Sequence, residues 1–260
     1  MAVTQCRASH ETEIALNRTT TKDGICELVL DNPGRKNALS YAVLDDLNKG
    51  LAAAAEGAAR AVILTGAGDA FSAGADLADL TGTIDDLAID EAIEQVVIRI
   101  REMPAPVFAA IEGPCMGGAV DIALACDFLV ASEESFFEVP AARLSLLYNP
   151  AAVRRWYARL SGLTLRRLLL LGERFTAAEA AQSGVVSHLV AQGAALNESR
   201  KLAKRAIDGS RDAVAATKSL LAALEDGETD LARWEKVRRE ILDSPERRAS
   251  VAGAKKLSDD

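Results

Sequence analysis

The sequence predicts an α/β fold on three observations. Short apolar runs such as Ala61–Thr65 (AVILT) and 107–111 (VFAAI) show no polar alternation, glycine or proline turns close them, and amphipathic helical stretches separate them. Strands that are apolar at every position are buried on both faces, as in parallel sheets covered by helices. With 260 residues, 49% of them hydrophobic, and a mean hydropathy of +0.07, the chain can fill one large core or a core with a small appended subdomain. A disordered chain is excluded.

In chain order, ICELVLDNPG from Ile25 is a short strand stopped by a turn. The following RKNALSYAVLDDLNKGLAAAAE reads as a helix capped by Ser40, with Leu44, Leu47, Leu51 and Ala55 on one face. AVILT is a buried strand ended by Gly66-Ala67-Gly68-Asp69. A polar stretch around Asp85 to Glu94 leads to a helix ending near Met103, before Pro104 and Pro106; VFAAI, a glycine turn and another helix follow. Beyond Asn197 no strand is expected, and Asn197–Gly209, Asp212–Glu225, Asp230–Leu242 and Pro245–Leu257 all suit helices with Gly, Ser or Pro at their junctions. The expected organisation is a flexible N-terminus over 1–12, a core over 13–194 and a helical region over 195–260, able to pack on its own core or on a neighbouring subunit.

Composition narrows the function. Cys6, Cys26, Cys115 and Cys126 form no CxxC pair, and His10 and His188 are far apart in sequence, so neither a metal site nor a disulfide framework is expected. A net charge of −8 and a pI near 5.0 disfavour nucleic acid as a partner. No apolar run approaches the roughly 18–20 residues of a membrane helix, and MAVTQCRASHETE lacks the apolar run of a signal peptide, so a cytoplasmic location away from membranes is expected.

Two segments carry the chemistry, GDAFSAGADL (Gly68–Leu77) and IEGPCMGGAVDIALACD (Ile111–Asp127). Each places small residues after a strand and at or near a helix start, where glycine admits a ligand close to the backbone and free amides face negative charge. The first lacks the GK[ST] ending of a P-loop and the second lacks the GxGxxG spacing of a dinucleotide fingerprint. Tight strand-to-helix packing is the alternative use of such residues.

Together, with DNPGRKNAL before them and ERFTAAEAAQSGVVSHLV after them, these segments resemble the enoyl-CoA hydratase/isomerase (crotonase) family from about Ile25 to the C-terminus. The resemblance implies a crotonase-like spiral of β-β-α units with a helical C-terminal subdomain used in forming a homotrimer or dimer of trimers. It also implies an acyl-CoA thioester substrate, with no cofactor beyond that coenzyme A moiety. The thioester carbonyl would lie between the amides of Ala75 and Gly118, as preorganised donors stabilise an enolate oxygen where charge develops. Coenzyme A would lie along Arg35, Lys36, Ala38, Ala73, Gly74, Asp76 and Leu77. Lys255 and Lys256 read as solvated charges, although they could approach the phosphates.

The family's two catalytic glutamates are not kept. The first position is Asp121, one methylene shorter, and the second is Ala141, which cannot transfer a proton. Asp121 is thus the one carried-over acid or base, with a helix first-turn acid as its structural alternative. Glu138 would alternate to the other strand face. Tyr148 and Asn149 fall where the methylmalonyl-CoA decarboxylase branch of the family has a Tyr-Asn pair, although that branch has histidine where this chain has Ala75. Tyr148 is therefore a candidate catalytic residue in an enolate-forming lyase, or else a core aromatic whose hydroxyl meets a carbonyl. Enoyl-CoA hydration, acyl-CoA decarboxylation and acyl-CoA binding without turnover all follow from this pattern. Leu144, Leu146, Leu147, Trp156 and the stretch 77–92 wall the pocket or belong to the core.

Overall fold

A computed structural model describes residues 15–258; the expectation for residues 1–12 lies outside them. The first described strand, β1 (Ala15–Thr20), pairs antiparallel with β2 (Ile25–Asp31), and α1 (Tyr41–Glu56), β3 (Ala61–Gly66), α2 (Leu87–Glu102) and β4 (Val107–Ile111) follow. Next come β5 (Pro114–Met116), α3 (Gly118–Ala125), β6 (Phe128–Ser132), β7 (Phe136–Glu138), α4 (Pro150–Arg159) and α5 (Gly162–Arg166). After β8 (Phe175–Thr176), α6 (Ala177–Gln182) and β9 (His188–Val190), the chain continues through α7 (Ala195–Ile207), α8 (Arg211–Glu225), α9 (Ala232–Leu242) and α10 (Pro245–Ser258).

The main sheet has the order β1-β2-β3-β4-β6-β9 and is parallel except at β1; a smaller sheet has the order β5-β7-β8. The buried runs ICEL, AVILT and VFAAI supply central strands, as apolarity at successive positions requires. Sequence patterning missed β1, whose outer residues Asn17 to Thr20 are exposed, and the strands of the small sheet, two or three residues long, are too short to show a period. His188 lies in the edge strand β9, a structural place.

Helix α1 begins where the sequence suggests. The Ser40 hydroxyl accepts from the Val43 amide, and Leu44, Leu47 and Leu51 face the core. Helices α1, α2 and α3 pack in the larger apolar cluster, whereas Ala195 and Ala203 of α7 join Ile25, Ile63, Phe108 and Val130 on the opposite sheet face. Thus α7 completes the sheet core, and α8 and α9 are less buried. Lys218 is the buried anchor of α8, its ammonium donating to the Ile100 and Ala105 carbonyls and to Asp127; α9 buries no residue. Among the described residues, no helix is long and apolar enough to cross a membrane, and no group of three or more His, Cys, Asp or Glu could hold a metal.

Candidate active site at two glycine turns

The first glycine turn leaves β3 and is held on both sides by backbone. On one side the Ala73 amide donates to Lys36 O, Leu39 to Gly74 O, and Asp76 to Leu39 O. On the other, the Phe71 and Ser72 amides donate to Pro114 O, and Met116 donates to Ser72 O. The approach from DNPGRKN is shaped by Lys36 and Asn37, both left-handed. The buried Asn37 side chain accepts from the Asn32 amide and donates to the Ala67 and Ala70 carbonyls. Asn37 therefore fixes the loop, a role that sequence reading missed; its signal was an asparagine, a residue tolerant of the left-handed region, following a Pro-Gly turn.

The second turn meets the first. Gly74 has φ +85°, and a Cβ there would stand 2.6 Å from Met116 O and 3.4 Å from the Gly117 Cα. Gly117, at φ 51° and ψ −123°, caps α3, its amide donating to Glu138 O. Only glycine occupies both conformations cheaply while letting the two backbones approach. Among the hydrogen bonds of the described residues, the amides of Ala75 and Gly118 have no protein acceptor, and Gly118 begins a helix, where orphan amides are expected. The two turns are in contact and each carries an uncommitted N–H, the donor type that stabilises a developing oxyanion.

The residues expected along coenzyme A gather on the first turn. Lys36 lies in the left-handed turn before it, its carbonyl accepting from the Ala73 amide; Ala38 is buried next to Leu39, which bridges to Ala75, and Leu77 is 72% exposed. Arg35 bonds Asp76 at 2.6 Å. The Ala78 amide and the Arg35 guanidinium hold the Asp76 carboxyl below its ordinary value despite some desolvation. Lys255 is exposed on α10, and the side chain of Lys256 lies outside the described residues.

The carboxylate side is committed differently. Asp121 is buried on the first turn of α3, one oxygen accepting from Trp156 Nε1 and the other from Arg155 Nη2, each at 2.9 Å. Arg155 also holds Glu94 with two bonds of 2.6 and 2.7 Å, so one guanidinium joins α2, α3 and α4. Burial pushes the Asp121 carboxyl up to about 6, opposed by the Arg155 charge and the Trp156 N–H. Ala141 is buried and brings no functional group. Glu138 is held by Arg143 and Arg174, each at 2.9 Å.

Tyr148 packs on Trp156, the ring centroids 4.9 Å apart, and its hydroxyl donates to Gly117 O at 3.1 Å. Burial, with Asp121 and Asp90 nearby, pushes its phenol well above the ordinary value, so it keeps its proton. Asn149 caps α4 by accepting from the Ala151 amide. Trp156 is core, whereas Leu144, Leu146 and Leu147 are exposed.

A family model for enoyl-CoA hydratase/isomerase matches residues 20–253. The chain belongs to that family. A rat relative, mitochondrial enoyl-CoA hydratase domain-containing protein 3, is 32% identical over 216 residues, covering 82% of this chain and 72% of that protein. An enoyl-CoA hydratase/isomerase family protein from Hyphomonas neptunium matches in structure with a TM-score of 0.86 at 30% identity, covering 93% of this chain and 95% of the other. An enoyl-CoA hydratase from Mycobacterium smegmatis also gives a TM-score of 0.86, at 25% identity over 93% and 96% of the two chains. The fold is thus crotonase-like, as the resemblance implied.

Within this family member, sequence reasoning found both glycine turns but missed Arg155 and Glu94. The signal for Arg155 was positional: on α4 it shares a buried face with Ala152 and Trp156, and a buried guanidinium demands partners. A separate cavity of about 640 Å³ lies between α8 and the core, lined in part by Phe128, Lys218 and Leu221, and contains none of the expected site residues.

Proposed function

We propose that the chain is a crotonase-type acyl-CoA enzyme that stabilises a thioester enolate between the amides of Ala75 and Gly118. The carrying observation is the contact of the two glycine turns, each with an N–H that has no protein acceptor among the described residues. The coenzyme A moiety runs along Arg35, Lys36, Ala38, Ala73, Gly74, Asp76 and Leu77 and is the only cofactor chemistry invoked. Leu147, exposed beside Tyr148, is available to the acyl chain.

Two reactions suit this site. The absent pair of free carboxyl groups favours a step that needs no protein base at the alpha carbon. In a malonyl-type thioester the bond to the carboxylate breaks, carbon dioxide leaves, and its electron pair passes into the enolate that the two amides hold. Hydration of an enoyl-CoA is the second reading, favoured by the Asp121 carboxyl near 6, a value suited to proton exchange close to neutral pH. The exposed Leu221 and Leu224 on α8, Leu231 at the N-cap of α9 and Leu242 on α9 support packing of the helical tail on a second copy, as in a trimer. A cytoplasmic location is part of the same reading.

The deciding experiment is mass-spectrometric product analysis on enoyl-, malonyl- and 3-hydroxyacyl-CoA thioesters, with Asp121→Asn run beside the parent. Carbon dioxide loss that survives the substitution supports the first reaction. A hydration product that Asp121→Asn abolishes supports the second. Acyl-CoA binding with no product from any thioester would overturn the enzymatic reading and leave a binding protein.

A further inference from the structure

The Tyr148 hydroxyl and the proposed Gly118 donor belong to opposite edges of one peptide. The Gly117–Gly118 bond is trans, so its carbonyl and its N–H point in opposite directions. Tyr148 stands on the carbonyl edge, where Gly117 O also accepts from the Val120 amide at 3.0 Å. A ligand held by the Gly118 N–H lies on the other edge, away from the phenol.

We propose that Tyr148 is a positioning residue that polarises the Gly117–Gly118 peptide from behind, and does not itself transfer a proton to the substrate. This inference rests on the oxyanion reading above. A hydroxyl donating to an amide oxygen draws electron density toward that oxygen and makes the N–H at the far end a stronger donor. The phenol retains its proton, so the donated bond persists through the neutral range. The ring is fixed by Trp156, and Trp156 is fixed by Asp121, three residues beyond Gly118 on α3. The carboxylate at the family's first glutamate position therefore supports the oxyanion peptide through two aromatic rings.

The size of the effect follows from the donor it tunes. An oxyanion donor is worth about 10²–10³ in rate, and one further bond in a chain strengthens the next by about 10–30%. Tyr148→Phe should therefore lower kcat roughly two- to eightfold with KM little changed. A purely packing role would show itself in stability and not in the polarisation of a bound carbonyl.

The test is isotope-edited infrared spectroscopy of butyryl-CoA labelled with carbon-13 at the thioester carbonyl. In the parent, the labelled band should move to lower frequency on binding. In Tyr148→Phe the movement should shrink while the affinity for butyryl-CoA stays within about twofold, as expected for a bond worth a small fraction of the whole. Replacing residue 148 by 3,5-difluorotyrosine, a stronger donor of similar shape, should enlarge the movement and guards against a packing defect in the phenylalanine variant. A full shift in the parent that both variants leave unchanged would overturn the inference and spare the oxyanion reading. No shift in the parent would overturn both.

Discussion

At the glycine turns nearly every constraint lies on the backbone: Gly74 and Gly117 at positive φ, the amide ladder from Lys36 to Asp76, and two N–H groups left over. Along α2, α3 and α4 the constraints lie on side chains, with Asp121, Arg155, Glu94 and Trp156 bound to one another in the interior. The first region keeps its form through its glycines and through the Asn37 side chain that pins its loop. In the second, Arg155 and Trp156 of α4 take both oxygens of Asp121. The difference teaches that a backbone turn depends on a few local conformations, whereas a buried carboxylate depends on partners drawn from several helices.

The largest expected effect tests the side-chain region. Arg155→Met removes the cation shared by two carboxylates and leaves Glu94 and Asp121 facing an apolar side chain. Urea unfolding should show a loss of about 3–5 kcal/mol, the usual result of breaking a buried pair by removing one partner. A loss below about 1 kcal/mol, the scale of a surface pair, would mean that α2, α3 and α4 are held by apolar packing alone.

The matching change in the backbone region is Gly74→Ala. Its methyl would meet Met116 O and would adopt a φ that L residues rarely take. The turn must shift, carrying the Ala75 amide with it, and turnover on the thioester identified by product analysis should fall by about 10²–10³. The comparison sharpens if the two variants separate, with Arg155→Met losing mostly stability and Gly74→Ala losing mostly rate.

The next effect is a pH dependence of stability. The folded chain holds a proton on Asp121 up to about 6, whereas the unfolded carboxyl releases it near 3.8. Between those values folding binds a proton, so the contribution of this group to stability is greatest at the acid end and declines as pH rises through the window, levelling above it. The decline should be on the order of 3 kcal/mol. Unfolding free energies measured from pH 4 to 7 in the parent and in Asp121→Asn isolate it, because other carboxylates contribute to both. Parallel curves would show that Arg155 outweighs burial and keeps Asp121 ionised throughout.

The same contrast explains how much of the molecule was legible in the sequence. Runs such as AVILT and VFAAI reveal buried strands because burial imposes apolarity at successive positions, and GDAFSAGADL reveals its turn because small residues mark close backbone approach. The two amides proposed to hold the oxyanion are nominated by motif, since a backbone donor needs no particular side chain. The Asp121 network could not: Arg155 lies 34 residues from Asp121 and 61 from Glu94, and no local period links them. Tyr148 was legible as an aromatic bonded to some carbonyl, but which carbonyl depends on how α4 packs against α3.

The smallest expected effect concerns Glu138, the carboxylate three residues before Ala141. Glu138 is buried at the end of β7, yet it is gripped by two arginines that are themselves more than half exposed. Arg174→Ala leaves Arg143 in place and should cost no more than about 1 kcal/mol, as its charge is largely solvated, although contact with the Phe136 ring is also lost. Glu138→Gln keeps the shape and an acceptor oxygen, and turnover should stay within about twofold of the parent, because a group outside the reacting geometry contributes nothing that is specific to the transition state. If Glu138→Gln instead abolished turnover while Arg174→Ala preserved it, the proton-transfer group would lie on β7. Acid–base chemistry would then belong to β7 and not to the Asp121 network.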